Sequence, residues 1–139
     1  MAQVSVLLIE ALKRRGQRVP AGPVKCPGWL GDMARKEWKR VAPELVQCGL
    51  VCSLDAFMLA VYCNIVASVD ECQAVIRRDG EQITHWDDDG TTRLMPHPAI
   101  AQAQEAAAQA VTFAAEFGLP ARSDGRMILP SEMGVISDG

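Results

Sequence analysis

The sequence predicts a mainly α fold: an antiparallel helical hairpin of two long helices joined by a β-hairpin and preceded by short helices. Three observations carry this. Residues 53–78 are one long, apolar-rich helical stretch closed by Asp79-Gly80. Residues 98–117 are a second, Ala-rich stretch stopped by Gly118 and Pro120. Between them the hydrophobic period shortens to two around Asp87-Asp88-Asp89-Gly90, and Asp-Gly is a strong hairpin signal. A chain of 139 residues suits one small domain with tails.

At the N-terminus, Val4, Leu7, Leu8, Ala11 and Leu12 recur at helical spacing and make an amphipathic stripe. Lys13, Arg14 and Arg15 follow, at the end where cations suit the helix dipole. Residues 16–28 hold three prolines and three glycines and read as an extended linker. Residues 1–25 are therefore expected to be a basic helix and flexible linker, and 26–119 the helical core.

The core opens with a helix for which Asp32 is a candidate N-cap. Met33, Trp38 and Val41 fall near one face, while Arg35, Lys36, Lys39 and Arg40 project elsewhere. Pro43 should end or kink this helix near Ala42, leaving a short turn to Cys48 closed by Gly49. Trp29 and Trp38 bracket it and read as core anchors rather than exposed stacking platforms.

The long helix takes Ser53 as its N-cap, with Arg77 and Arg78 suiting its C-terminal end. Its length is about 39 Å at 1.5 Å per residue. From Ala56 to Cys63 every residue is apolar, so this half must be covered on all sides. A short chain has little with which to cover it, so copies of the protein are expected to cover each other. Phe57, Leu59, Val61, Tyr62 and Ile65 are the candidate interface residues.

Gln82–Trp86 and Thr91–Leu94 then alternate as strands, giving a β-hairpin at about 81–95. Met95-Pro96-His97-Pro98 forms an extended corner, and Pro98 suits the first turn of the last helix. Ala103, Ala107, Ala110, Ala114 and Phe117 make a smooth stripe along that helix, which allows close approach. Residues 120–139 show no sustained period and are expected to be a flexible tail.

Charge divides along the chain. Residues 1–40 carry nine Lys/Arg against three acids, and residues 41–139 carry five against fourteen. Such asymmetry suggests a polyanion-binding end on a repelling body, or simply a basic solvated surface. The five cysteines form no CxxC pair and read as reduced thiols rather than a zinc site. The first sixteen residues lack the order of a signal peptide, and no run of eighteen apolar residues occurs.

Catalytic motifs are missing. There is no phosphate loop of the GxxxxGK[ST] type, no GxSxG elbow and no HExxH. His85, Asp87, Asp88, Asp89 and His97 can be grouped as a metal site of a small enzyme, but three aspartates beside a glycine are more often a solvated turn. A helix-turn-helix over 29–52 is disfavoured, since the segment after Pro43 is short and carries Glu44. A dimeric transcription regulator with another DNA-binding fold is a further alternative.

The landmarks Cys26-Pro27-Gly28-Trp29-Leu30, Glu37-Trp38-Lys39-Arg40, Pro43-Glu44-Leu45 and Gly49-Leu50 follow one another at distinctive spacing. Asp55, Tyr62-Cys63, Gly80, His97-Pro98 and Gly118-Leu119 continue the series. Together, over residues 26–119, they resemble the small terminase subunit of tailed double-stranded DNA bacteriophages. The apolar leader and the Pro120–Arg126 ending depart from that pattern. The resemblance implies a non-catalytic, cofactor-free DNA-recognition subunit that forms a homo-oligomeric ring. Such a subunit binds packaging-site viral DNA and hands it to the large ATPase/nuclease subunit, in the host bacterial cytoplasm and not in the mature virion. The candidate DNA contacts are Lys13, Arg14, Arg15, Arg18, Lys25, Arg35, Lys36, Lys39 and Arg40. Met127, Ile128 and Leu129 are the candidate contact with the large subunit.

Overall fold

The computed structural model describes residues 24–52 and 55–133. Its elements in chain order are α1 (Asp32–Gln47), α2 (Ala56–Asp79), β1 (Gln82–Trp86), β2 (Thr92–Pro96) and α3 (Pro98–Glu116). The expected helix at residues 4–15, most of the linker and the Ser53 cap lie outside the described residues.

Helix α1 begins after Gly31, so Asp32 is its first helical residue rather than its cap. It also runs through Pro43 to Gln47, where a break near Ala42 was expected. Pro43 is exposed, so the carbonyl that loses its helical donor faces solvent. Buried Val41, Ala42 and Leu45 on both sides of Pro43 hold the helix to the core. Because α1 is continuous, residues 29–52 contain no helix-turn-helix. The helix closes on Gly49 at φ 74°, where Leu50 N–H donates to the Leu45 carbonyl.

Helix α2 starts at Ala56, with Asp55 at the N-cap position. The Asp55 carboxylate turns back to accept from Cys52 N–H at 3.0 Å. By length and composition alone α2 is apolar enough to cross a membrane. Here it packs against both α1 and α3. Leu59, Ala60, Tyr62, Cys63, Val66, Ala67 and Val69 form its buried face. The Ala56–Cys63 half does have a solvent side, contrary to expectation: Phe57 is 68% and Met58 42% exposed. Cys52 and Cys63 are buried and Cys26, Cys48 and Cys72 half-buried, all as free thiols.

After Gly80, β1 and β2 pair antiparallel with Gln82 opposite Pro96 and Trp86 opposite Thr92. The second strand therefore starts one residue later and runs two residues further than the alternation indicated. Trp86 and Leu94, on the same face of this ribbon, are 70% and 69% exposed. Helix α3 takes Pro98 at its start and is capped by His97, whose Nδ1 accepts from Ala99 N–H at 3.0 Å. Asp79 meets His97 and Cys72 meets Gln102, so α2 and α3 run antiparallel.

The segment after α3 is the largest departure from the sequence reading. Residues 120–133 are not a loose tail. Ala121 bridges Met127, and Met127, Leu129 and Pro130 are buried against the helices. Long-range polar ties hold this strap. Arg126 pairs with Asp70, Tyr62 Oη accepts from Met127 N–H, Arg40 pairs with Glu132, and Glu44 accepts from Ser131. Gly125, at φ 90°, lets the strap approach α3; a Cβ there would lie 2.6 Å from Ala110 Cβ and 3.0 Å from the Ala107 carbonyl oxygen. The small residues of α3 thus admit this turn as well as α2.

At the centre of these ties sits Glu37, which is 5% exposed. Arg40 donates to both of its carboxylate oxygens, at 2.7 and 2.9 Å, and Tyr62 Oη donates at 2.5 Å. Burial, and then the Glu37 carboxylate, push the Tyr62 phenol well above its ordinary range, so it remains a donor. Tyr62→Phe removes the bonds to Glu37 and to Met127 N–H together. The expected cost is about 1–3 kcal/mol, read as a lower urea midpoint, with the strap becoming the first segment cut in limited proteolysis.

Candidate nucleic-acid interface

At about 100° per residue, Ala34, Glu37, Trp38, Val41, Ala42 and Leu45 occupy the inner side of α1, and all are buried. The same rotation puts Asp32, Arg35, Lys36, Lys39, Pro43 and Gln47 outside, and all are exposed. The outer face thus carries three cations and one acid. Among the described residues Lys36 and Lys39 form no ion pair. Lys25 is exposed in the segment leading to α1.

The nine residues expected to contact DNA divide three ways. Arg35, Lys36 and Lys39 share one exposed face, with Lys25 near it in the chain. Arg40 does not belong with them. Its guanidinium is spent on Glu37, Glu132 and the Met127 carbonyl, so its charge holds the fold together. Lys13, Arg14, Arg15 and Arg18 lie outside the described residues.

Arg35 has a second task. Its Nε donates to the Leu30 carbonyl at 2.8 Å and its Nη2 to the Gly28 carbonyl at 3.1 Å. These carbonyls flank Trp29, which is 56% exposed and so is no core anchor, whereas Trp38 is buried as expected. Trp29 meets Phe57 with ring centroids 6.2 Å apart at a tilt of 54°.

Of the five residues expected at a subunit interface, Leu59 and Tyr62 are fully buried in the chain's own core and are removed from it. Phe57 is exposed, and Val61 and Ile65 are half-buried along the open side of α2. Of the three residues expected to contact a large subunit, Met127 and Leu129 are likewise buried within the chain, while Ile128 is half-buried.

The residues grouped as a metal site do not come together. His97 is engaged at both ring nitrogens: with Nδ1 accepting from Ala99, its Nε2–H points to Asp79 at 3.1 Å. His85 lies 3.6 Å from Asp87 on the hairpin, and Asp89 accepts from Thr91. Among the described residues no three His, Cys, Asp or Glu side chains are placed to hold a metal ion.

Several structural residues were missed by sequence reasoning. Glu37 and Arg40 at i, i+3 are a readable helical pair. Nothing local marks Tyr62, Asp70 or Arg126 as their distant partners and neighbours.

These features define a class: a small helical protein with a cationic outer helix face and, among its described residues, no cluster of side chains placed to hold a metal ion. Residues 34–133 match the family described as phage terminase, small subunit, and the chain belongs to that family. Membership places it in phage genome packaging, in a terminase complex with DNA. No curated protein and no solved structure shows a significant match to the chain.

The Asp79 contacts give a pH signature. Arg78, and then His97, hold the Asp79 carboxyl well below the usual carboxylate range. A folded value below the unfolded one stabilises at pH above the unfolded value of about 4, and that contribution is lost as pH falls through the window beneath it. Carboxyl NMR should find Asp79 still ionised at about pH 3. Arg78→Ala should move its titration upward toward the ordinary range.

Proposed function

We propose that this chain is the ring-forming, non-catalytic DNA-recognition subunit of a phage terminase. It binds packaging-site duplex DNA and presents it to the large ATPase/nuclease subunit in the host bacterial cytoplasm. The observation that carries this reading is the exposed Arg35-Lys36-Lys39 face of α1 in a chain of this family. Exposed cations on one helical face suit phosphates, which fix position and supply affinity without reading sequence. The basic set Lys13, Arg14, Arg15 and Arg18 precedes that face in the chain and adds to the same charge.

A closed ring needs two different adhesive surfaces on each subunit. The open side of α2, with Val61 and Ile65, is one candidate, and the Trp86/Leu94 face of the hairpin is the other. For the large subunit we propose the edge formed by Ser131, Glu132 and exposed Met133, which lies beside α1 through Glu44 and Arg40.

Two measurements test this. Lys36→Ala with Lys39→Ala should weaken binding to all duplex sequences alike and flatten the log–log salt slope by about 2. An unchanged slope removes α1 from the interface. Native mass spectrometry should find a ring in which Val61→Asp lowers the mass to that of a folded monomer, while Leu59→Asp abolishes folding outright. A wild-type chain that is monomeric at micromolar concentration would sink the ring.

A further inference from the structure

We infer that the Trp29–Phe57 pair is a stacking site for an unpaired DNA base, with Arg35 and the N-terminal end of α1 receiving its phosphate. The inference rests on the proposed function, since it presumes a DNA partner, and it adds the substrate class: DNA with a single-stranded or frayed stretch beside the duplex.

Three observations converge on one place. The first is aromatic exposure. Trp29 and Phe57 leave more than half of their surface to solvent while meeting each other at a 54° tilt. Every base has a flat π-face, so exposed aromatic rings bind unpaired bases without regard to sequence. A base inside a duplex is already stacked on its neighbours and gains nothing there.

The second is a cation fixed in position. Arg35 is bonded to the carbonyls on both sides of Trp29, so its guanidinium is anchored to the backbone that carries the ring. The guanidinium has five N–H donors in a planar fork, and two of its nitrogens are used here. Nη1 remains for a phosphate oxygen, and the positive charge is held rather than free to wander.

The third is the start of α1 itself. Gly31 offers no side-chain cap, so the first-turn N–H groups carry no side-chain acceptor there. Those donors and the positive end of the helix lie two residues from Trp29 and favour an anion. Lys25 and Lys36 add exposed positive charge in the neighbouring sequence, and Asp32 is the one acid on that face. This charge suits the phosphates of a nucleic acid as the occupant of the aromatic pair, and the test below separates that occupant from the acidic body of a second copy.

The test compares blunt duplex DNA with the same duplex carrying a short single-stranded overhang, by fluorescence anisotropy of labelled DNA, with the assembly mass measured in parallel. Wild-type protein should prefer the tailed duplex by on the order of tenfold to a hundredfold. Trp29→Ala should bring that preference close to one, and Trp29→Phe should keep most of it. Equal affinity of the wild type for both DNAs overturns the stacking site and leaves the proposed function standing. Binding to neither DNA overturns both. A lower assembly mass for Trp29→Ala would assign the pair to a contact between copies and overturn the stacking site as well.

Discussion

The fold depends on a single buried carboxylate. Glu37 lies on the buried face of α1, where an unpaired charge is not tolerated, and removing the charged partner of such a group costs about 3–5 kcal/mol. Arg40, one turn along, meets it with both a Nε and a Nη2 donor, and Tyr62 adds a third bond from α2. Neither partner stops at Glu37. Tyr62 Oη also accepts from Met127 N–H, and Arg40 also donates to the Met127 carbonyl. The charge that α1 must satisfy therefore holds both backbone groups of one residue in the strap. Buried Met127 and Leu129 add apolar contact to these polar ties.

That dependence separates what could be read in the sequence from what could not. Helices α2 and α3 announce themselves by apolar periodicity and by Gly80, Pro98 and Gly118 at their ends. The hairpin announces itself by Asp89-Gly90, and these signals are local. The strap has none. Its ties join Asp70 to Arg126, Tyr62 to Met127, Glu44 to Ser131 and Arg40 to Glu132, across 56 to 92 positions of chain. No window of sequence contains both partners, and read alone the segment shows no sustained period, with Met127-Ile128-Leu129 set among Gly, Pro, Ser, Asp, Arg and Glu. Pro43 misled for a related reason. Its local rule is correct, but tertiary burial of Val41, Ala42 and Leu45 outweighs it on an exposed side of the helix.

The limits of the family match agree with the strap. The sequence landmarks ended at Leu119, while the family match extends to residue 133. That difference is the segment that Glu37, Arg40 and Tyr62 hold in place. It makes residues 120–133 part of the domain rather than an appendage. At this end Met133 is exposed, beyond the buried Met127 and Leu129.

The cations of α1 illustrate how one residue type takes different work from its position on a helix. Arg35, Lys36, Lys39 and Arg40 are indistinguishable by charge in the sequence. Rotation about the axis puts Arg40 at the edge of the buried face, where Glu37 claims it. Lys36 and Lys39 stand on the opposite side with long, unrestrained stems, suited to sequence-independent attraction of phosphates. Arg35 falls between these cases. Its bonds to Gly28 and Leu30 fix the loop that presents Trp29, and the same bonds immobilise its guanidinium before any ligand arrives. A preformed charge loses less side-chain entropy on binding than a mobile one. Arg35 is therefore held in one place, whereas the two lysines are not. The difference follows from which carbonyls lie within reach, not from the basic composition of the segment.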